Sequence, residues 1–281
     1  GFVEYSTRTL LLNPKVISTN EFQSYFRVNS LFFDPNIFGR FLVVVMTMLG
    51  TALLWARARR DALALAAALA VLWGGLVLTL SQSSLGALLV GLAVVGALRY
   101  RARWAATLAF AAVLLGAAFV IAFPSAVRLK LTSEQSVSGS TSGRSDLIRG
   151  GLELFGKRPL QGWGSGAFER EYRRHRETSS ETAAAASHTI PITVAVEQGV
   201  VGLVVYLALL AAAFGRLLAG ARGSPARAAI AGAFAALVVH TFLYAAFLED
   251  PLSWVLLAVG AALALPVRRG AALPSAACTA T

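Results

Sequence analysis

The sequence predicts an all-α polytopic membrane protein with about seven transmembrane helices and one large outward-facing loop that contains short helices. Three observations predict it. Hydrophobic residues make up 57% of the chain, charged residues only 14%, and mean hydropathy is +0.67, more apolar surface than a soluble domain hides. Charge-free apolar runs recur at the length of about 20 residues that crosses a hydrocarbon core of roughly 30 Å. The arginines between those runs gather in short loops on one side, opposite a long polar segment at 124–188.

Residues 1–36 form an outward-facing N-terminal segment. It is polar and partly aromatic, with neither the charged-then-apolar pattern of a signal peptide nor a spanning run, and it reads as the continuation of upstream sequence. Residues 37–123 hold four spans, near 37–56, 62–80, 84–98 and 104–123. From Ala62 to Leu98 there is no Asp, Glu, Lys or Arg. As a single helix that stretch would be roughly 55 Å long, nearly two crossings, so its one polar cluster, Ser81-Gln82-Ser83-Ser84, marks a hairpin. The loop 124–188 follows, then three spans within 189–266, near 189–215, 228–248 and 251–266, and a cytoplasmic tail at 267–281.

Orientation follows from the arginines, because short cytoplasmic loops collect Lys and Arg while long exported loops are largely exempt. Arg57, Arg59, Arg60, Arg99, Arg101, Arg103, Arg216, Arg222, Arg227, Arg268 and Arg269 fall on one side, opposed there only by Asp61. They account for most of the net charge of +11. The high pI of 10.8 therefore reports topology, and a nucleic-acid partner is not expected. The single Cys278 lies in the cytoplasmic tail, which argues against both a disulfide and a thiol nucleophile.

Four helix N-termini are expected to face outward. Asp34-Pro35 and Asp250-Pro251 have the N-cap then first-turn-proline order; Ser83 or Ser84 caps the third span, and Ser187 or Thr189 the fifth, with Pro191 in its first turn. Their partial positive charge favours an anion such as phosphate, although each is equally readable as a cap alone. Within the loop, Ser133–Gly143 is Ser/Gly-rich, and Arg144–Phe155 has helical apolar spacing. Pro159-Leu-Gln-Gly-Trp-Gly-Ser-Gly is a turn-rich run whose glycines allow close backbone approach, and Glu169–Arg176 reads as a solvated, ion-paired helix face.

His188 stands where the loop meets the fifth span, at headgroup level. There it is a group that accepts a proton near neutral pH or, by position alone, an interfacial cap. Glu197 and His240 are the ionisable groups well inside spans, and both read as buried hydrogen-bonding partners. On an ideal helix Gly199 lies beneath His188 with Gly202 continuing the stripe and Glu197 opposite, so these glycines are expected to serve close helix packing.

His188 followed by Gly199 in His-Thr-Ile-Pro-Ile-Thr-Val-Ala-Val-Glu-Gln-Gly resembles the histidine-to-glycine motif of O-antigen ligases and O-antigen polymerases. Gly143-Arg144-Ser-Asp-Leu-Ile and Pro159-Leu-Gln-Gly-Trp-Gly-Ser-Gly-Ala-Phe resemble the same family's outward loop. Phe33-Asp34-Pro35-Asn36 resembles its segment before a span, and the resemblance covers most of 27–260. It implies a glycosyltransferase that is independent of metal and cofactor. Such an enzyme moves a glycan from an undecaprenyl-diphosphate carrier to a sugar acceptor, lipid A core or growing polysaccharide, on the outer side of the bacterial inner membrane. It further implies that His188 assists the acceptor hydroxyl and that Arg144 holds the diphosphate, whose growing charge guanidinium forks and helix N-termini can meet without a metal. Members often carry an Arg where this chain has Ser83-Ser84, so a second diphosphate arginine must come from Arg27, Arg40 or Arg149. Asp34, Asn36 and Trp163 are further candidate substrate contacts.

The motifs do not separate ligase from polymerase or from protein O-glycosylation, since donor and site chemistry are shared. The rival from another class is a transporter or flippase that moves the lipid-linked sugar without bond chemistry. Such proteins concentrate polar residues and broken helices at mid-membrane, often in two related halves. A non-catalytic assembly subunit has no specific feature in its favour. The arginine distribution predicts that reporters fused after Arg60, Arg103, Arg222 and Arg269 register the cytoplasm, and that fusions near Ser138 or Ser180 register the exterior. A cytoplasmic Ser138 would invert the scheme.

Overall fold

The computed structural model describes residues 2–7, 27–32, 34–100, 147–176, 190–244 and 247–264, and these are helices and their connections with no strand among them. In chain order they are α1 (Phe2–Thr7), α2 (Pro35–Trp55), α3 (Arg59–Leu78), α4 (Gln82–Tyr100), α5 (residues 147–157), α6 (Phe168–Arg176), α7 (Ile190–Leu218), α8 (Pro225–Leu243) and α9 (Pro251–Leu263). Five of them, α2, α3, α4, α7 and α8, are long and apolar enough to cross a membrane. The fold is therefore an all-helical, multi-pass membrane fold. The expected count of seven is not reached among the described residues. The span near 104–123 lies outside them, and α9 has 13 described residues, about 20 Å of helix against a core of roughly 30 Å.

The helix boundaries follow from local chemistry. Asp34 caps α2 by accepting the Asn36 N–H at 2.5 Å, and Pro35 occupies the first turn, where no backbone donor is lost. Asp250 does the same for α9, accepting from the Leu252 N–H at 2.9 Å, and Ser224 caps α8 through the Arg227 N–H. The α3–α4 hairpin turns at Thr79–Ser81, with Leu80 in the left-handed region at φ 51°. Ser81, not Ser83 or Ser84 as expected, accepts the Ser84 N–H to cap α4, because the helix starts at Gln82, two residues before the expected start at 84. Ser83 and Ser84 are turned inward and buried.

A segment from the N-terminal side closes this hairpin. The Val28 N–H donates to the Leu78 carbonyl at 3.1 Å, and the Arg27 Nε donates to the Thr79 carbonyl at 2.8 Å. Carbonyls at the end of α3 that have no partner within the helix are thus satisfied without water. Glu4, fully buried on α1, accepts the Ser30 N–H at 2.7 Å and ties α1 to the same segment.

The most enclosed of the spanning helices is α8, which packs against α2, α4, α7 and α9. Small residues allow that approach. A Cβ on Gly91 of α4 would stand 2.9 Å from Ala236 Cβ on α8 and 2.9 Å from Thr47 Oγ1 on α2, with the Gly232 carbonyl oxygen at 3.2 Å. In a bilayer, lipid tails are as apolar as leucine, so such van der Waals fit carries association. Gly91→Val should force the three helices apart at a cost of about 1–3 kcal/mol. Gly86→Ala on the same helix, where a Cβ would meet nothing within 4 Å, should leave the melting temperature of the detergent-solubilised protein nearly unchanged. Equal melting temperatures for both variants would contradict this packing.

Candidate functional site

The ends of α2, α4, α8 and α9 converge on a buried polar cluster. Arg40, one turn into α2 and 3% exposed, donates from Nε to His240 Nδ1 on α8 at 3.2 Å and from Nη1 to Asp250 Oδ2 before α9 at 2.5 Å. Its guanidinium also lies 5.8 Å from the centre of the Tyr244 ring. On the far side of the imidazole, Nε2 is 3.1 Å from Ser84 Oγ and 3.4 Å from Ser83 Oγ. Ser84 Oγ is 2.8 Å from Ser81 Oγ, which donates to Asn36 Oδ1 at 2.8 Å; Arg27 Nη2 donates to the same amide oxygen at 3.0 Å.

Donor and acceptor roles are fixed by the arginines, which have no lone pair to offer. His240 Nδ1 must accept, so the imidazole is neutral with its proton on Nε2, and Ser84 receives it. Because Ser81 donates to Asn36, Ser84 must donate to Ser81. Asn36 is then held with its oxygen toward Arg27 and its nitrogen toward the Tyr244 hydroxyl, which hydrogen-bonds Asp34 in turn. In that bond the Tyr244 hydroxyl donates, since the Asp34 carboxylate can only accept. The chain of hydrogen bonds runs one way, from Arg40 to Asn36. Gly39 allows it to close, since a Cβ there would run into Ser84.

A second arrangement joins the loop to α7. At Gly199 that helix breaks, with φ 67° and ψ −165°, a conformation essentially confined to glycine. The backbone groups freed at the break are taken by the turn 159–164. Trp163 N–H donates to the Val196 carbonyl at 3.0 Å, Gly164 N–H to the Glu197 carbonyl at 2.8 Å, and Val200 N–H to the Pro159 carbonyl at 2.7 Å. A Cβ on Gly162 would strike the Glu197 backbone, and one on Gly199 the Leu160 backbone. Glu197 Oε1 accepts the Phe168 N–H at 3.2 Å, covering the start of α6. Leu147, Leu154, Phe168, Tyr172 and Val196 form a small apolar core beneath this seam.

The expectation that Gly199 and Gly202 form a packing stripe on a continuous helix is therefore corrected. Gly199 is a break that receives the glycine-rich turn. His240 is a buried hydrogen-bonding partner, as expected, whereas Glu197 is a hydrogen-bonding partner that is only half-buried.

Of the residues singled out from the sequence, Arg27, Asp34, Asn36 and Arg40 come together in the cluster. Arg149 does not. It projects from α5 with 79% of its side chain exposed and pairs with Glu153 at 3.3 Å. Trp163 is half-buried in the seam, its indole N–H donating to the Leu154 carbonyl at 2.9 Å and Arg158 stacked over its ring at 4.2 Å. His188 and Arg144 lie outside the described residues, as do Ser187 and Thr189. Among the cluster's other members, Tyr244 carries no sequence motif, Ser81 and Ser84 read as the hairpin and its cap, and Asp250 as the cap of an outward-facing helix N-terminus. Among the described residues no group of three or more His, Cys, Asp or Glu side chains is placed to hold a metal ion.

The seam makes its own prediction. Gly199→Ala should add about 1–3 kcal/mol of backbone strain to the clash with Leu160. The turn 159–164 should detach, so that limited proteolysis cuts within 147–176 while the spans stay protected. Gly156→Ala, where a side chain meets open space, should leave the cleavage pattern alone.

The sequence model of the O-antigen ligase family matches residues 66–207, which run from within α3 through the loop and both sides of the α7 break. No curated protein matches the chain. The matched stretch is half of the sequence and contains both partners of the seam, the Gly162-Trp163-Gly164 turn and the Glu197–Gly199 break. The chain belongs to the O-antigen ligase family, and is a multi-pass membrane protein of glycosyltransferase type.

Proposed function

We propose that this protein transfers a glycan from an undecaprenyl-diphosphate carrier to a sugar acceptor, lipid A core or growing polysaccharide, at the periplasmic face of the inner membrane. The observation that carries the reading is the seam. It joins segments of two motifs that resemble the family's, the turn 159–164 and residues 196–200 of α7, by three backbone hydrogen bonds, which hold that turn against the helix. The division of the chain into a four-span unit, the large loop, a three-span unit and flanking outward and cytoplasmic segments is part of the same proposal.

In the reaction, the acceptor hydroxyl oxygen attacks the anomeric carbon of the donor sugar. His188 takes the hydroxyl proton as the new C–O bond forms. The bond from the anomeric carbon to the diphosphate oxygen breaks, and undecaprenyl diphosphate leaves with the electron pair. Its growing charge is met by Arg144, with a second guanidinium to come from Arg27, Arg40 or Arg149. Of these, Arg149 is exposed on α5 and pairs with Glu153, whereas Arg40 is buried and pairs with Asp250.

A transporter reading gains nothing from the broken α7. The backbone groups at that break bond to the turn 159–164, whereas a transported ion or sugar would require them to face a cavity. His188→Ala should lower turnover by roughly two to four orders of magnitude, the usual worth of a positioned general base. Binding of undecaprenyl diphosphate should survive the change, and wild-type transfer should persist in excess chelator. Transfer that stops with chelator and returns with magnesium would move the chemistry to a bound metal and demote His188 to an interfacial cap.

A further inference from the structure

Arg158 follows α5 and leads into the turn of the seam, and its backbone is fixed on both sides. Its N–H donates to the Phe155 carbonyl at 3.1 Å, and its carbonyl accepts the Gly162 N–H at 3.0 Å. The guanidinium rests on the Trp163 ring, 4.2 Å from its centre. That ring is itself held: the indole N–H is bound to the Leu154 carbonyl, the backbone N–H to the Val196 carbonyl on α7, and the ring packs on the small core around Phe168. A guanidinium lying on an indole face keeps its N–H groups, which point outward in its own plane, for other acceptors. Among the described residues of the loop, Arg149, Arg170, Arg173 and Arg174 each pair with a glutamate, whereas Arg158 is exposed and pairs with none.

The length of α7 sets the depth of this group. The charge-free run from Gly199 to Arg216 spans roughly 26 Å of helix, close to the whole hydrocarbon core. The polar pair Glu197-Gln198 stands directly before the break. The break, and the turn docked on it, consequently lie at the level of the lipid phosphates, at the membrane boundary opposite Arg216.

We propose that Arg158 is a phosphate-binding residue of the donor site, whose fork, held on Trp163 at the membrane boundary, takes the diphosphate of a polyprenyl-linked glycan. This rests on the reading of the protein as a transferase that uses such a donor. Trp163 is then the floor beneath the guanidinium and touches no substrate. Bilayer phosphates offer similar chemistry at the same depth, but an arginine that anchors a protein to headgroups works through a mobile stem. Arg158 is pinned at its backbone and at its side chain, the arrangement that favours one fixed anion.

Binding of undecaprenyl diphosphate to the purified full-length protein in dodecyl maltoside, a detergent without phosphate, is the readout, with undecaprenol as the phosphate-free control. Arg158→Gln keeps a planar group on the indole and removes the charge. It is expected to bind undecaprenyl diphosphate about tenfold more weakly than wild type, and undecaprenol equally well. Arg158→Lys keeps the charge but loses the fork, and is expected to bind the diphosphate about threefold more weakly. Limited proteolysis within 147–176 shows whether the seam stays closed in each variant.

A Gln variant with a closed seam and wild-type affinity for undecaprenyl diphosphate overturns the proposal. If that substitution opens the seam, the Lys variant decides, and wild-type affinity there overturns it. A Gln variant that loses co-purifying phosphatidylglycerol while holding undecaprenyl diphosphate as wild type does makes Arg158 a bilayer anchor, which overturns it equally. Failure of the underlying reading looks different. There the wild-type protein itself binds undecaprenyl diphosphate no more tightly than undecaprenol, and the role of Arg158 falls with it.

Discussion

A guanidinium buried near the end of a helical bundle sets the terms for the rest of this structure. Arg40 is almost wholly enclosed, and a charge in that position is tolerated only with opposite charge and hydrogen bonds delivered to it. Breaking such a pair typically costs about 3–5 kcal/mol. The partners arrive from three separate helices: Asp250 from the start of α9, His240 from the end of α8, and the serines behind His240 from the start of α4. Those ends must therefore meet at one level of the bundle. The central place of α8 and the glycine contacts among α2, α4 and α8 are what bring them within reach.

The cluster is close to charge balance, with Arg27 and Arg40 set against Asp34 and Asp250. That balance explains how it can be buried, and it also divides the proposed labour. A diphosphate brings its own negative charge, which a balanced cluster neutralises only in part, so a further cation is needed from the loop side. The seam between the turn 159–164 and the Gly199 break anchors the described part of that loop. Backbone groups that a broken helix would otherwise leave unpaired are used as the attachment for the loop, and the loop cannot shift without exposing them.

Much of this architecture was legible from hydropathy alone, because helix length and apolarity are set by the bilayer whatever the packing. The hairpin at Ser81 and the aspartate-proline caps of α2 and α9 follow from local chemistry and fall where the pattern places them. The break at Gly199 was not legible. A glycine in an apolar run fits helix packing and a left-handed break equally well, and the choice depends on a turn some 40 residues upstream in sequence. The partnership of Arg40 with His240 was hidden for a similar reason. The two are separated by 200 positions, and neither sits in a motif. What the sequence did carry was the rarity of ionisable residues inside spans, which singles out His240 as needing a partner without saying which. Arg149 shows the converse, an arginine whose place in a motif-like run says nothing about its exposure.

The account's central claim is that the bundle end and its docked loop make a glycosidic bond, as opposed to carrying a lipid-linked sugar across the membrane. The most direct measurement is mass analysis of products after the purified full-length protein is incubated in liposomes with an undecaprenyl-diphosphate oligosaccharide and a lipid A core or polysaccharide acceptor. The account predicts an acceptor heavier by the donor glycan, with free undecaprenyl diphosphate released in equal amount. Donor that crosses the bilayer with its sugar–phosphate bond intact, and no heavier acceptor, would contradict it.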